Sequence, residues 1–339
     1  MDVHEDLALV EIRSLPMSYG TQVQLIRYTA CGATGIALLI AIAVFAGLLS
    51  GGATASDVAK INSSLAIYFL SGFLALSCVL NLLAPRTRPR LIFLLGLFPL
   101  MIGWRIAALH DLSWIEALGG IAFVSYLALF AIIVVHGLKT PQEDGRPETT
   151  FPGVQLSFIR LYIGLDLVPH FTEKLFAGPS ARLGDVKSFE ALGVPDALGF
   201  VLLAGTIEFA AMIGVGMGLL TRLASILTVI YLIVATILGH HFQLGFIWAT
   251  AGGGWEYPLL WSALILSFVL GGGRWLSLDQ IIFERVKLPR WIDFLMGDTG
   301  PVRRDHPLPN SGQPDSTHPS LSDQRETGVN EDPITSAKA

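Results

Sequence analysis

The stretch DLVPHFTEKLF, residues 166–176, sets Asp166, His170, Glu173 and Lys174 at steps of four, three and one inside a long apolar run. On a helix those four share one broad face. Histidine and carboxylates can move protons, and a lysine ammonium can hold an anion or a developing negative charge. Further ionisable groups follow in apolar surroundings. Glu208 stands in GTIEFAAM, His240 and His241 end an apolar run, and Trp255 and Glu256 lie in GGGWEYP. Two readings fit. In one they are structural pairs near an interface, with Lys174 stretching outward. In the other they form a polar pocket, open to the outer face, for a small anion or a quinone head. The feasible pairs are Lys174 with Glu256 or Glu208, and Asp166 with His170. Pro169 removes a helix hydrogen bond beside His170 and would open the helix there; membrane helices also tolerate such a proline for no further reason.

Weaker signals point to structure. GVGMG (214–218) follows no strand, so close helix packing is the reading rather than a phosphate loop. Adjacent His240 and His241 would diverge by about 100° on a helix, and no metal site is expected. Cys31 and Cys78 lie in apolar runs without a CxxC pattern and read as buried thiols. Arg105, deep in an apolar helix, needs an acid: Glu116, or one from the other half of the chain.

These residues must be positioned by helices. Of the 339 residues, 52% are hydrophobic and 14% charged, and the mean hydropathy is +0.60. Soluble domains carry about 25% charged residues, so this is a membrane composition. The net charge of −5 sits in the two chain ends, and no basic surplus suggests nucleic acid. The opening MDVHEDLALVEIR is acidic where a cleaved leader needs bases, so the first span is expected to stay as an anchor.

Candidate spans fall near 25–49, 64–84, 91–109, 113–137, 154–177, 197–220, 223–240 and 256–272. The expected fold is an all-α membrane protein of about eight transmembrane helices, arranged as two four-helix bundles at 25–138 and 154–282. A cytoplasmic segment (1–24) precedes them and a polar linker (139–153) separates them. A stretch that would lie on the membrane face (283–296) and a disordered tail (297–339) follow. Lys and Arg in the short loops place both termini in the cytoplasm of a bacterial inner membrane. Arg27 to Arg88 spans 61 residues and Arg160 to Arg222 spans 62, which suggests a parallel repeat. With this topology His170, Glu173, Lys174, His240, His241, Trp255 and Glu256 share an outer layer, while Asp166 and Glu208 lie deeper. Arg160 and Arg222, at the inner side, read as anchors at the lipid headgroups.

From Phe158 to Asp279 the chain resembles the DoxX family. The resemblance rests on FIRLYIG (Arg160), PHFTEKLF (His170, Lys174), LGVP (192–195), a helix with central Glu208 leading into GLLTRLAS (Arg222), a histidine ending the next helix, GGWEYPLL (Glu256) and GGGRWLSLD (Asp279). Phe171 stands where the family usually has glycine. The resemblance implies a four-helix membrane bundle whose relatives include the membrane subunit of thiosulfate:quinone oxidoreductase and membrane partners in mycobacterial thiol-redox complexes. It thereby implies a quinone-linked or sulfur-redox subunit with His170, Lys174, Glu208, His240 and Glu256 in catalytic roles. Asp166, His241 and Trp255 would lie beside the bound quinone. A redox partner protein would supply electrons, because the chain stores none outside its two cysteines. The rival expectations are a non-catalytic scaffold in contact with lipid, or a small-solute transporter.

Overall fold

The computed structural model describes residues 17–140, 149–283 and 290–296. Among them there are helices and turns and no strand. In the first half, α1 (Tyr19–Phe45) is followed by a short helix, α2 (Ala55–Asn62). Then come α3 (Ala66–Leu83), α4 (Pro89–Ala108) and α5 (Ser113–Lys139). The second half repeats that order. It has a long helix α6 (Phe151–Leu175), a short helix α7 (Pro179–Ala191), then α8 (Ala197–Ala211), α9 (Thr221–Leu238) and α10 (Glu256–Gly271). Two small helices, α11 (Leu278–Phe283) and α12 (Arg290–Met296), follow. α8 runs on into a π-helical turn, Met212–Gly216.

Seven of these are long and apolar enough to cross a membrane: α1, α3, α4, α5, α6, α8 with its π turn, and α9. The expected eighth span is apolar but short. At 16 residues α10 extends about 24 Å, less than a full hydrocarbon core. α1 begins six residues before the expected 25, so its first turns are drawn from the segment read as cytoplasmic. α2 and α7 lie in stretches expected to be loops. The first 16 residues, 141–148 of the linker, 284–289 and the tail 297–339 lie outside the described residues.

Every backbone polar group that ends in an apolar bundle needs a partner. Two buried arginines meet that need in the same way. Arg27 of α1, 3% exposed, donates to the side chain and the carbonyl of Asn81. It also reaches the carbonyls of Leu82 at 2.8 Å and Ala84 at 3.1 Å. It thus closes the C-terminus of α3. Asn81 passes a hydrogen bond on to the Tyr126 hydroxyl of α5, at 2.9 Å. Arg160 of α6, 0% exposed, donates to the carbonyls of Val215 and Gly216 at the end of the π turn, and to that of Leu276. Arg160 therefore binds backbone in the interior and is not the headgroup anchor expected from its place near a helix start. Gly164 makes this approach possible. A Cβ there would collide with the backbone of Gly216, so the two segments touch chain to chain, with Phe98 of α4 against both. Arg222 is exposed. It lies against the Phe294 ring and donates to the carbonyls of Leu270 and Phe294, at 3.3 and 3.2 Å.

Asp279 completes the turn that leads into α9. Leu220 takes a left-handed conformation, with φ of 51°, and starts α9 without a side-chain cap of its own. The Asp279 carboxylate, fully buried, accepts from the Leu220 amide (2.7 Å), the Thr221 amide (2.9 Å) and the Thr221 hydroxyl (2.6 Å). It caps α9 from 58 residues away. Burial pushes its carboxyl above the ordinary carboxylate range, and these donors together with nearby Arg160 oppose that push.

The halves are stitched together through α4, the most enclosed helix: 67% of its apolar window is buried, against at most 44% for any other span. Arg105 of α4 forms an ion pair with Glu173 of α6, so its acid comes from the other half and not from Glu116. At the same end of the molecule Phe176 packs on Phe69 and Phe73 of α3. His110, buried in the α4–α5 turn, bonds the Ala177 carbonyl through Nε2 at 2.9 Å. Burial depresses the His110 pKa below the ordinary histidine value, and the bond to Ala177 opposes this only in part.

The sign follows. A histidine with a depressed folded pKa binds fewer protons when folded than when unfolded. Its contribution is fully present above about pH 6.5 and is lost as pH falls from there through the depressed value. Thermal unfolding in detergent is expected to show stability falling between neutral and pH 5, with a shallower fall in a His110→Gln variant. Identical acid slopes in the two proteins would sink this assignment.

Candidate functional site

The four ionisable residues of α6 do not converge on one pocket. Consecutive helix positions turn by about 100°, so Glu173 and Lys174 face different neighbours. Glu173 goes to Arg105 of α4. Lys174 turns to α8, where its Nζ lies 3.0 and 2.9 Å from the two carboxylate oxygens of Glu208 and 3.1 Å from the His170 carbonyl. Both side chains are buried, at 8% and 7% exposure. Tyr231 of α9 donates its hydroxyl to the same carboxylate at 2.7 Å. Lys174, Glu208 and Tyr231 thus join α6, α8 and α9 within the apolar bundle. Gly205, one turn before Glu208, lets α8 come close, since a Cβ there would press on Lys174 and Leu175.

Asp185 of α7 belongs to the surroundings of this cluster. It is partly buried, and burial raises its carboxyl above the ordinary range. Lys174 and His170 pull it back down, and Glu173 and Glu208 push it further up. Such mutual influence places Asp185 within electrostatic reach of all four, above the end of α6. A carboxyl poised in this way can exchange a proton with its surroundings nearer neutral pH than a free aspartate would.

The other expected site residues lie elsewhere. Asp166 is half-buried on α6 within electrostatic reach of His170, and His170 itself is exposed, giving the cluster its carbonyl and not its ring. His240 is exposed, at a positive φ of 56° in the turn after α9. His241, Trp255 and Glu256 build the loop between α9 and α10. His241 Nδ1 bonds the Gly253 carbonyl at 2.9 Å, Trp255 packs on Phe246, and Glu256 accepts from the Trp248 amide at 3.0 Å. The partner of Lys174 is Glu208 rather than Glu256. Tyr231 and Asp185 were not singled out by sequence reasoning. Tyr231 stands alone in TVIYLIV, where a tyrosine passes for a packing residue. Asp185 lies in a stretch that reads as an outer loop. The helix-period facing of α8 and α9 could have suggested Tyr231, and an amphipathic reading of 179–191 could have suggested Asp185.

Seven long apolar helices, one short one and a buried ion pair between them define a multi-pass helical membrane protein. The model of the DoxX family matches residues 155–241, from the start of α6 to the turn after α9, so this part of the chain is a DoxX domain. An "Uncharacterized protein" of Haemophilus influenzae is 29% identical over 130 residues, which is 38% of this chain and 92% of that protein. No solved structure matches.

Removing one member of a buried ion pair strands the other, typically at a cost of about 3–5 kcal/mol. Lys174→Met and Glu208→Gln are each expected to destabilise the protein on that scale. The double variant is expected to cost clearly less than their sum, as measured by unfolding in detergent. Additive losses would show that the two side chains do not depend on each other.

Proposed function

We propose that the DoxX domain is the membrane part of a quinone-linked redox system, with its site at Lys174, Glu208 and Tyr231. The observation that carries this reading is an ammonium, a carboxylate and a phenol hydrogen-bonded together inside a membrane domain, with a partly buried Asp185 within electrostatic reach. A paired cation there can hold negative charge on a quinone oxygen in a medium where such charge is costly. The Tyr231 hydroxyl and the Glu208 carboxylate can hold and hand over a proton, and Asp185 connects them to the aqueous face. The overall reaction is quinone plus two electrons and two protons to quinol, with the electrons supplied by a partner protein. In this reading the loop of His241, Trp255 and Glu256 covers the outer end of the bundle. The domain lies in a bacterial inner membrane with both termini in the cytoplasm, which the distribution of Lys and Arg supports.

A second reading, transport of a small solute, is favoured by one observation. Arg27 and Arg160 close the ends of α3 and of the π turn in equivalent places of two similarly ordered halves. Parallel repeats of this kind are a transporter architecture.

The test is extraction of the protein from native membranes in lipid particles, followed by solvent extraction and mass spectrometry for quinone. Stoichiometric quinone is expected in the native protein. Markedly less is expected in Tyr231→Phe and in the Lys174→Met/Glu208→Gln double variant, both checked for folding. A native protein without quinone would overturn the redox reading and leave transport, to be measured as solute uptake in liposomes without an electron acceptor.

A further inference from the structure

A second polar site lies at the end of α6, and neither Glu208 nor Lys174 lines it. The end of α6 and the start of α7 face α2 and the start of α3 across a groove of about 780 Å³. The groove has two zones. Its outer zone holds Lys60, Ser63, Ser64, Ser180 and Arg182, and its inner zone holds Leu65, Tyr68, Phe69, Leu175 and Phe176. The boundary falls where α3 begins and α6 ends, which is the level at which spanning helices meet headgroups. Leu65 and Tyr68 are 67% and 57% exposed, so the apolar zone opens sideways, towards acyl chains.

The outer zone is built for an anion. No acid lines it. Lys60 is paired with Asp57 at 2.8 Å, yet its side chain stays 57% exposed. The Arg182 side chain has no hydrogen bond or ion pair among the described residues. α7 begins here without a side-chain cap: Gly178 has none to offer and Pro179 fills the first position, so the amide of Ser180, a residue that lines the groove, is unclaimed. On the groove wall the Asn62 Oδ1 atom is buried without a donor, a place for a hydroxyl. A phosphate between two cations and a helix start, a hydroxyl beside it and acyl chains below are together the chemistry of one molecule. We infer that this groove between the halves binds an anionic phospholipid, its phosphate held by Arg182, Lys60 and the start of α7. A bound lipid would bridge α2–α3 to α6–α7 and so brace the end of the helix that carries Lys174.

The test uses the full-length protein in nanodiscs of phosphatidylcholine doped with phosphatidylglycerol, released into mild detergent and read by native mass spectrometry. The native protein is expected to retain phosphatidylglycerol over phosphatidylcholine. Arg182→Gln and Lys60→Gln should each lower that retention about fivefold, the scale of one surface cation acting on an anionic lipid. Ser180→Asp, an exposed position that leaves the fold intact, should abolish it, while Arg86→Gln at the opposite end of α3 should change nothing. Added inorganic phosphate should not displace the lipid, since the apolar zone holds its chains; displacement by phosphate would reduce the site to a simple anion site and overturn the proposal. Equal retention of the two lipids, or unchanged retention in Ser180→Asp, would also overturn it.

Discussion

The structure depends on what happens to carbonyl groups where a helix stops inside an apolar bundle. Water is absent there, and an unpartnered carbonyl costs several times what a satisfied one contributes. Arg160 resolves this at the most crowded point of the second half. One guanidinium binds carbonyls from the π turn and from the segment before α11, so two stretches of chain are tied to α6. Asp279, in the first turn of α11, does the complementary task for the amides that open α9. The buried positive and negative groups each serve backbone of the opposite polarity, and each lies in the field of the other. Once this knot is tied, α8 and α9 have fixed depths relative to α6, and Glu208 and Tyr231 arrive opposite Lys174.

Function and stability therefore use buried charge in different ways. Arg160 and Asp279 are surrounded by fixed dipoles that cannot move without unfolding a turn. Lys174 is held by a carboxylate, a carbonyl and, through Glu208, a phenol. All but the carbonyl can change protonation or rotate. The first arrangement is rigid because its partners are backbone. The second can rearrange because its partners are side chains. That difference, more than the mere presence of charge in a membrane, separates the candidate site from the structural network about four turns away on the same helix.

Much of the fold was legible from hydropathy. The runs at 64–84, 91–109, 113–137 and 223–240 correspond to helices within a few residues at each end, since an apolar stretch of that length has one stable form in lipid. The short helices α2 and α7 were not legible, because eight to thirteen mixed residues carry too little periodicity. Direction was harder than location. Arg160 near a helix start looks like an interfacial anchor in sequence, but the glycine at 164 and the π turn bring backbone to it and bury it. The outer layer was read as one pocket because hydropathy gives depth and not azimuth. His241 and Glu256 share a level with Lys174 in that reading, but their own loop uses them. For Lys174 the sequence offered two feasible counter-charges, Glu208 and Glu256, and the facing of α8 decides for Glu208.

Azimuth also explains why so many ionisable groups stand on one membrane helix. α6 touches both halves: α4 of the first, and α7, α8 and the π turn of the second. A helix in that position can direct successive residues to different neighbours. Glu173 ties it to the first half through Arg105, and Lys174, one residue later, ties it to the DoxX bundle through Glu208. Moving either residue by one position would turn it by about 100° and separate both pairs. The ion pair at Glu173 is partly exposed and on its own would contribute little. Its value lies in fixing the rotation of α6 about its axis, on which the orientation of Lys174 depends. The first half, which lies outside the family match, thereby acts on the candidate site without contributing a residue to it: it sets the angle from which the lysine enters.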